Sequence, residues 1–279
     1  MKIAYNLILI MFLLPLLVGC PKEYQEVTVV MPKDLTNDLE TVANAKVFFG
    51  HQSVGNNIID GLQSISDNIK SVDLRVSDYE SYQPDEKGCL LHTRVGKNRE
   101  PESKCIDFGR IIDEELSDKI DYALLKFCYV DIDRDSNVSK VFNDYKQTID
   151  GLMSRHPEIT FVHTTVPLKL VRSGWKLWIK ELLGKENLSK LDNIKRNEFN
   201  ELLKATYGVE RLIDIAKSES TYPDGKREAF EMDGKTYYSL IWGYTNDGGH
   251  LNDNGKIQVA STFVQELAQI IRDSSSVAE

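Results

Sequence analysis

The stretch from Lys46 to Gly61, Lys-Val-Phe-Phe-Gly-His-Gln-Ser-Val-Gly-Asn-Asn-Ile-Ile-Asp-Gly, constrains the fold more than any other. Val47, Phe48 and Phe49 form a compact β-branched and aromatic run of the kind that becomes a buried strand. Gly50 ends that pattern, and Val54, Ile58, Ile59 and Leu62 then recur at helical spacing. A strand feeding a helix through a Gly-flanked turn leaves the turn at the carboxyl edge of a sheet. Open α/β folds bind their ligands there. Ser53 lies in that turn. Its hydroxyl has two readings: a helix cap, or an exposed nucleophile beside N–H groups that favour an anion. His51, two residues earlier, is read either as a substrate contact or as the polar filler of the turn.

Further strands are expected over 72–76, 121–128, 159–163 and 209–215, and helices over 106–116, 138–153, 191–206 and 253–272. Residues 79–105 are rich in Gly, Pro and charge and read as a long irregular segment. Asp233-Gly234 between two alternating runs in 230–238 predicts a hairpin. Strands alternating with helices predict a three-layer α/β/α fold on a parallel sheet, with the hairpin and loop insertions added. Residues 168–188 contain Trp175 and Trp178 and suggest a flap over a site. The two rings suit stacking on sugars as well as burial under an amphipathic helix.

The first residues belong to no fold. An apolar run from Leu7 to Val18 precedes Leu17-Val18-Gly19-Cys20, which resembles a bacterial lipobox. The expectation is a signal peptide over 1–19, lipid attachment at Cys20, a polar tether over 20–44, the domain over 45–272 and a frayed tail over 273–279. The mature protein is then exported and held to the cell envelope by its lipid. Lys2 is the one charged residue among 1–19, so its removal takes the net charge from −9 to −10. So acidic a surface repels phosphate backbones and anionic headgroups and argues against nucleic acid as a partner. In an oxidising compartment Cys89 and Cys105 are candidates for a disulfide, whereas Cys128 in its apolar run reads as a small buried hydrophobe. No cysteine spacing suits zinc. Asp131, Asp133 and Asp135 alternate like a calcium loop but lack its Gly and distant Glu, and read as a solvated turn. Nothing in the pattern sets the oligomeric state.

Thr245-Asn-Asp-Gly-Gly-His-Leu-Asn-Asp253 stands just before the last helix. Asp247 and His250 are three apart in this Gly-rich loop, close enough for the carboxylate to orient the imidazole. The plainer reading is a helix-initiating loop with Asn252 or Asp253 as cap. Ser53 in an early strand-to-helix turn and Asp-x-x-His before the final helix together resemble the SGNH, or GDSL-like, hydrolase superfamily. The resemblance spans about residues 45–272 and implies a flavodoxin-like fold that cleaves acyl esters, often acetyl groups on lipids or polysaccharides. It implies Ser53 as nucleophile, His250 as general base and Asp247 as its orienting acid, with no metal or organic cofactor. Gly50-His-Gln-Ser53 stands where the family has Gly-Asp-Ser. The family's second block implies Gly96 and Asn98 at the oxyanion hole. Its third falls on Cys128-Tyr-Val-Asp131, where Asp131 fits and Val130 replaces the donor Asn. The reading is an esterase or deacetylase acting on an envelope or extracellular glycan. A non-catalytic glycan-binding lipoprotein on the same fold is the other.

Overall fold

Alternating apolar residues dictate the central layer. β1 (Lys46–His51) turns Val47 and Phe49 to one hydrophobic cluster and Phe48 to the other, so this strand is buried on both faces. The computed structural model describes residues 27–32, 35–82, 87–172 and 174–276. Its other strands are β2 (Val76–Asp78), β3 (Cys89–Arg94), β4 (Tyr122–Leu125), β5 (Thr160–Thr164) and β6 (Leu212–Ile213). They form one parallel sheet in the order β2-β3-β1-β4-β5-β6. On one face lie α1 (Thr36–Ala43), α2 (Ser53–Ile69), α7 (Ile215–Glu219) and α8 (Asp253–Ser276). On the other lie α3 (Pro101–Ile111), α4 (Val138–Arg155) and α6 (Leu188–Tyr207). This is the expected three-layer α/β/α fold. The loop after β5 carries α5 (Trp175–Leu182), and β7 (Ala229–Met232) and β8 (Lys235–Tyr238) form the expected hairpin. Asp233 and Gly234 both have positive φ there, as a two-residue turn matched to strand twist requires.

Four expectations give way. The segment 79–105 contains β3, which pairs with β1 from Lys46↔Cys89 to His51↔Arg94. Its apolar run is short because His92, Thr93 and Arg94 emerge at the carboxyl edge, leaving only Cys89, Leu90 and Leu91 to be wholly covered. The tether expected over 20–44 is partly folded. Leu35, Leu39 and Val42 share one helical face, are fully buried, and pack α1 on α8, where Asp38 also pairs with Arg272. Residues 1–26, with the signal segment and Cys20, lie outside the described residues. The final helix continues to Ser276 through part of the expected tail, with Ser274 and Ser275 bonded to the carbonyls of Ile270 and Ile271.

The fourth is the disulfide: Cys89 and Cys105 are both buried and are not bonded to each other. Cys89 opens β3 at the amino edge of the sheet, whereas the Cys105 thiol bonds Thr148 on α4. Burial pushes that thiol up to about 12, so it is inert.

Candidate active site

The loops after β1, β3 and β4 meet at the carboxyl edge. Gln52, in extended backbone, is the N-cap residue of α2, but its side chain turns away and donates Nε2 to the carbonyls of Val95 (3.0 Å) and Gly96 (2.9 Å). Ser53 is therefore the first helical residue and not the cap. It is half-buried, and its Oγ lies 3.2 Å from Cys128 Sγ. First-turn N–H groups, that of Ser53 among them, have no acceptor within their own helix.

Asp131 holds the floor of this edge together. Its carboxylate accepts from the N–H of Cys128 (2.6 Å), the N–H of Arg99 (2.8 Å) and Lys104 Nζ, with both charged side chains fully buried. The residue expected near substrate is thus a staple between the β3–α3 and β4–α4 loops, hidden because its carboxylate has three donors behind it. Lys104 Nζ also donates to Asn98 Oδ1 at 3.1 Å. Asn98 itself is exposed, and with Oδ1 engaged its Nδ2 is the end left to meet a ligand. Gly96 does not fit the role expected of it: its N–H donates to Asp107 Oδ2 at 2.9 Å. His51 does not line the site either. It is fully buried, stacked on His92 with 3.2 Å between Nε2 and Nδ1. Burial first, then the charges of Lys126 and His92, push its imidazole down to about 3, so it packs as a neutral ring.

Asp247 and His250 sit on a loop pinched shut by the bridge between Thr245 and Leu251, while Asn252 caps α8 through the N–H of Gly255. Asp247 Oδ1 accepts from the N–H groups of Gly249 and His250, both at 2.8 Å, and Oδ2 meets His250 Nδ1 at 2.6 Å. Partial burial raises the carboxyl, but these bonds outweigh it and hold Asp247 at about 2. An ionised Asp247 fixes the proton on Nδ1 and leaves Nε2 as the basic nitrogen. The loop is fastened to α2 by the N–H of Leu251, which donates to Asn57 Oδ1 at 3.1 Å, one turn beyond Ser53. His250 and Ser53 are not hydrogen-bonded to each other. The Tyr129 hydroxyl stands 3.4 Å from both ring nitrogens of His250, with its ring edge-on. Gly249 is required for this contact, since a Cβ there would come within 2.6 Å of the phenol ring.

Several residues of this edge escape a reading by motif: Lys104, Lys126, Cys128, Tyr129, Arg196 and Glu219. Arg196 is buried and donates Nε to the carbonyl of Tyr129 at 2.8 Å. Lys126 is fully buried and donates to the carbonyl of Phe127. Its place inside Leu-Leu-Lys-Phe-Cys was the available signal, because a lysine interrupting an apolar strand must be buried with a partner. Beside the Asp247 loop opens a cavity of about 570 Å³, lined in part by Lys169, Arg172, Lys185, Arg196, Trp242 and Asp247.

No family model and no curated protein matches this chain. Among solved structures it is similar to the lipase/acylhydrolase from Enterococcus faecalis, at 13% identity and a TM-score of 0.48 over 80% of this chain and 95% of that one. It is similar to a protein of the G-D-S-L family from Desulfitobacterium hafniense, at 10% identity and a TM-score of 0.43 over 80% and 99%. A family 3 carbohydrate esterase from Clostridium thermocellum matches at 13% identity and a TM-score of 0.36 over 82% and 98%. The parallel strand order sets Ser53 after β1 and the Asp247–His250 pair before the last helix, the arrangement that the resemblance to SGNH hydrolases implies.

Proposed function

We propose that this protein is a serine ester hydrolase that removes short acyl groups, acetyl above all, from a glycan of the cell envelope to which Cys20 tethers it. The observation that carries the reading is the Asp247–His250 pair, bonded at 2.6 Å through Nδ1 and fastened to α2 one turn from Ser53. Ser53 Oγ attacks the acyl carbon while His250 Nε2 takes its proton and passes it to the leaving alkoxide. Water then cleaves the acyl-enzyme with the same imidazole as base. The tetrahedral oxyanion receives the N–H of Ser53 and the Nδ2 of Asn98, the latter standing in for the donor that Val130 cannot supply. Before attack, the Ser53 hydroxyl leaves Cys128 for His250, a rotation about χ1 between staggered positions. Trp242 and Asn246 line the cavity beside Asp247, an aromatic and an amide side chain that suit a sugar ring.

The bond from Ser53 to Cys128 instead of His250 favours a second reading, a glycan-binding lipoprotein without turnover. Hydrolysis of 4-nitrophenyl acetate by the wild type, Ser53→Ala and His250→Ala separates the two. The esterase reading expects each variant to lose about a thousandfold or more in kcat, to a common floor. Full activity in Ser53→Ala overturns it. A wild type that is inert but retains an acetylated glycan establishes the binder.

A further inference from the structure

The loop between β5 and α6 is anchored at its base and apolar at its tip. At the base, the N–H of Leu170 donates to the carbonyl of Gly248 in the Asp247–His250 loop, and Asn187 Nδ2 donates to the carbonyl of Arg172. The N–H of Arg172 adds a bond to Ser189 Oγ. At the tip, Trp175, Ile179, Leu182 and Leu183 fall within one arc of α5, and all are exposed, Trp175 by 65%, Leu182 by 71% and Leu183 by 72%. All three tryptophans of the chain lie here, at 175 and 178 on α5 and at 242 by the cavity. Lys169, Arg172 and Lys185 sit at the foot of this stripe, and no described carboxylate pairs with them. The chain as a whole carries −9. An apolar ridge with tryptophan and a basic collar, on an otherwise acidic protein, has the composition of an interfacial anchor.

The tether leaves the fold at the same place. Val27 packs on Gly243, next to Trp242, and Asn254 Nδ2 holds the Val27 carbonyl at 2.7 Å. Seven residue steps separate Cys20 from Val27, a reach of at most about 25 Å even if fully extended. A lipid on Cys20 therefore holds the cavity side of the molecule near the bilayer.

We propose that α5 inserts its Trp175–Ile179–Leu182–Leu183 face into the headgroup region of an anionic membrane, so that the cavity beside Asp247 opens onto the lipid surface. This rests on the lipidation of Cys20, and it makes an ester displayed close to that surface the substrate the enzyme meets. The docked face is the ridge, and the basic collar meets the anionic headgroups around it.

Tryptophan quenching in vesicles tests this, because residues 1–26 contain no tryptophan. The full chain is reconstituted into phosphatidylglycerol and phosphatidylethanolamine vesicles with brominated acyl chains. Emission of the wild type should fall relative to unbrominated vesicles. Leu182→Glu/Leu183→Glu should lose about half or more of that quenching, since two carboxylates oppose insertion. Replacing phosphatidylglycerol by phosphatidylcholine should weaken it further. An unquenched wild type, or equal quenching in the double variant, overturns the proposal. Cross-linking between copies through α5 without quenching does so too, assigning the face to a second copy. Hydrolysis of 4-nitrophenyl acetate by the double variant should match the wild type, so the esterase reading fails or stands separately. Fatty-acid labelling of the wild type against Cys20→Ala reads the tether alone.

Discussion

The floor and the mouth of the site are built on opposite physical terms. In the floor, Asp131, Lys104, Lys126, His51 and Arg196 are buried, and each side chain is hydrogen-bonded within the fold. At the mouth, the side chains of Asp247 and His250 are 56% and 44% exposed, and the loop from 168 to 189 presents apolar surface to solvent. A buried charge left without its partner costs several kcal/mol, so the floor has one workable arrangement. An exposed pair is screened and contributes little to stability, so the mouth is held by backbone bonds and its side chains remain available for chemistry. Rigidity below and availability above are what a nucleophile and a base need from their surroundings.

The sharpest way to break this contrast is to cut the chemistry without touching the fold. Ser53→Ala, His250→Ala and the double variant should all fall to about the same rate, a thousandfold or more below wild type. Their melting temperatures should stay within about 2 °C of wild type, because neither side chain is fully buried and the bond of Ser53 to the Cys128 thiol is weak. A double variant much slower than either single one shows that the two residues do not work as a unit. Asp247→Asn should retain more activity than either, yet lose most of it, because the amide lets the wrong imidazole nitrogen carry the proton.

The floor should fail in the opposite manner. Asp131→Ala leaves the Lys104 ammonium and the Cys128 N–H buried without an acceptor, a loss of about 3–5 kcal/mol measurable by urea unfolding. Lys104→Met should cost less, since Asp131 keeps its two backbone donors. If the two cost the same, Asp131 acts only through its ion pair.

Acid and alkali should sharpen the contrast, since burial disfavours the charged forms of Glu219, His51 and His163. Burial raises the Glu219 carboxyl from 4.5 to about 8, and one of its oxygens is bonded by the N–H of Leu168 while the other has no partner. Between those values the unfolded chain binds fewer protons than the native one, so stability falls as pH rises. Glu219→Gln should flatten this limb in melting temperature measured from pH 5 to 8. His51 and His163, held at about 3 and about 4 by burial, act with the opposite sign. Their contribution is complete above the ordinary value of 6.5 and is lost as pH falls below it. An unchanged slope in Glu219→Gln removes the carboxyl from the alkaline limb.

The smallest effect is expected at the ridge. Leu182→Glu/Leu183→Glu touches only exposed side chains and should shift stability by no more than about 0.5 kcal/mol per site. A larger loss means that α5 is packed on the domain in solution.

Much of this architecture was legible residue by residue. Val47, Phe48 and Phe49 declare a strand covered on both faces, and Asp233-Gly234 declares its turn, because period and turn chemistry act over a few neighbouring residues. The Asp247–His250 bond was legible for the same reason, since three residues of a Gly-rich loop suffice to form it. β3 was hidden because a strand whose outer half emerges at a sheet edge shows only a short apolar run. α1 was hidden because three buried residues, Leu35, Leu39 and Val42, are spread through a polar stretch.

The sequence alone was enough for most strands and helices, though not for β3 or α1, and for the turn that carries Ser53, the Asp247–His250 pair before the last helix and the tryptophan-rich loop. Only the tertiary structure decided which polar groups those features meet. Ser53 bonds Cys128 75 positions away, Asp131 pairs with Lys104 27 away, and Leu251 rests on Asn57 194 away. Asp131 and Gly96 look available in the chain and are consumed in the fold, while Asn98 keeps an amide to spare. The reason is that a hydrogen-bonding group's availability depends on which partners burial brings to it, and burial is a property of the assembled layers.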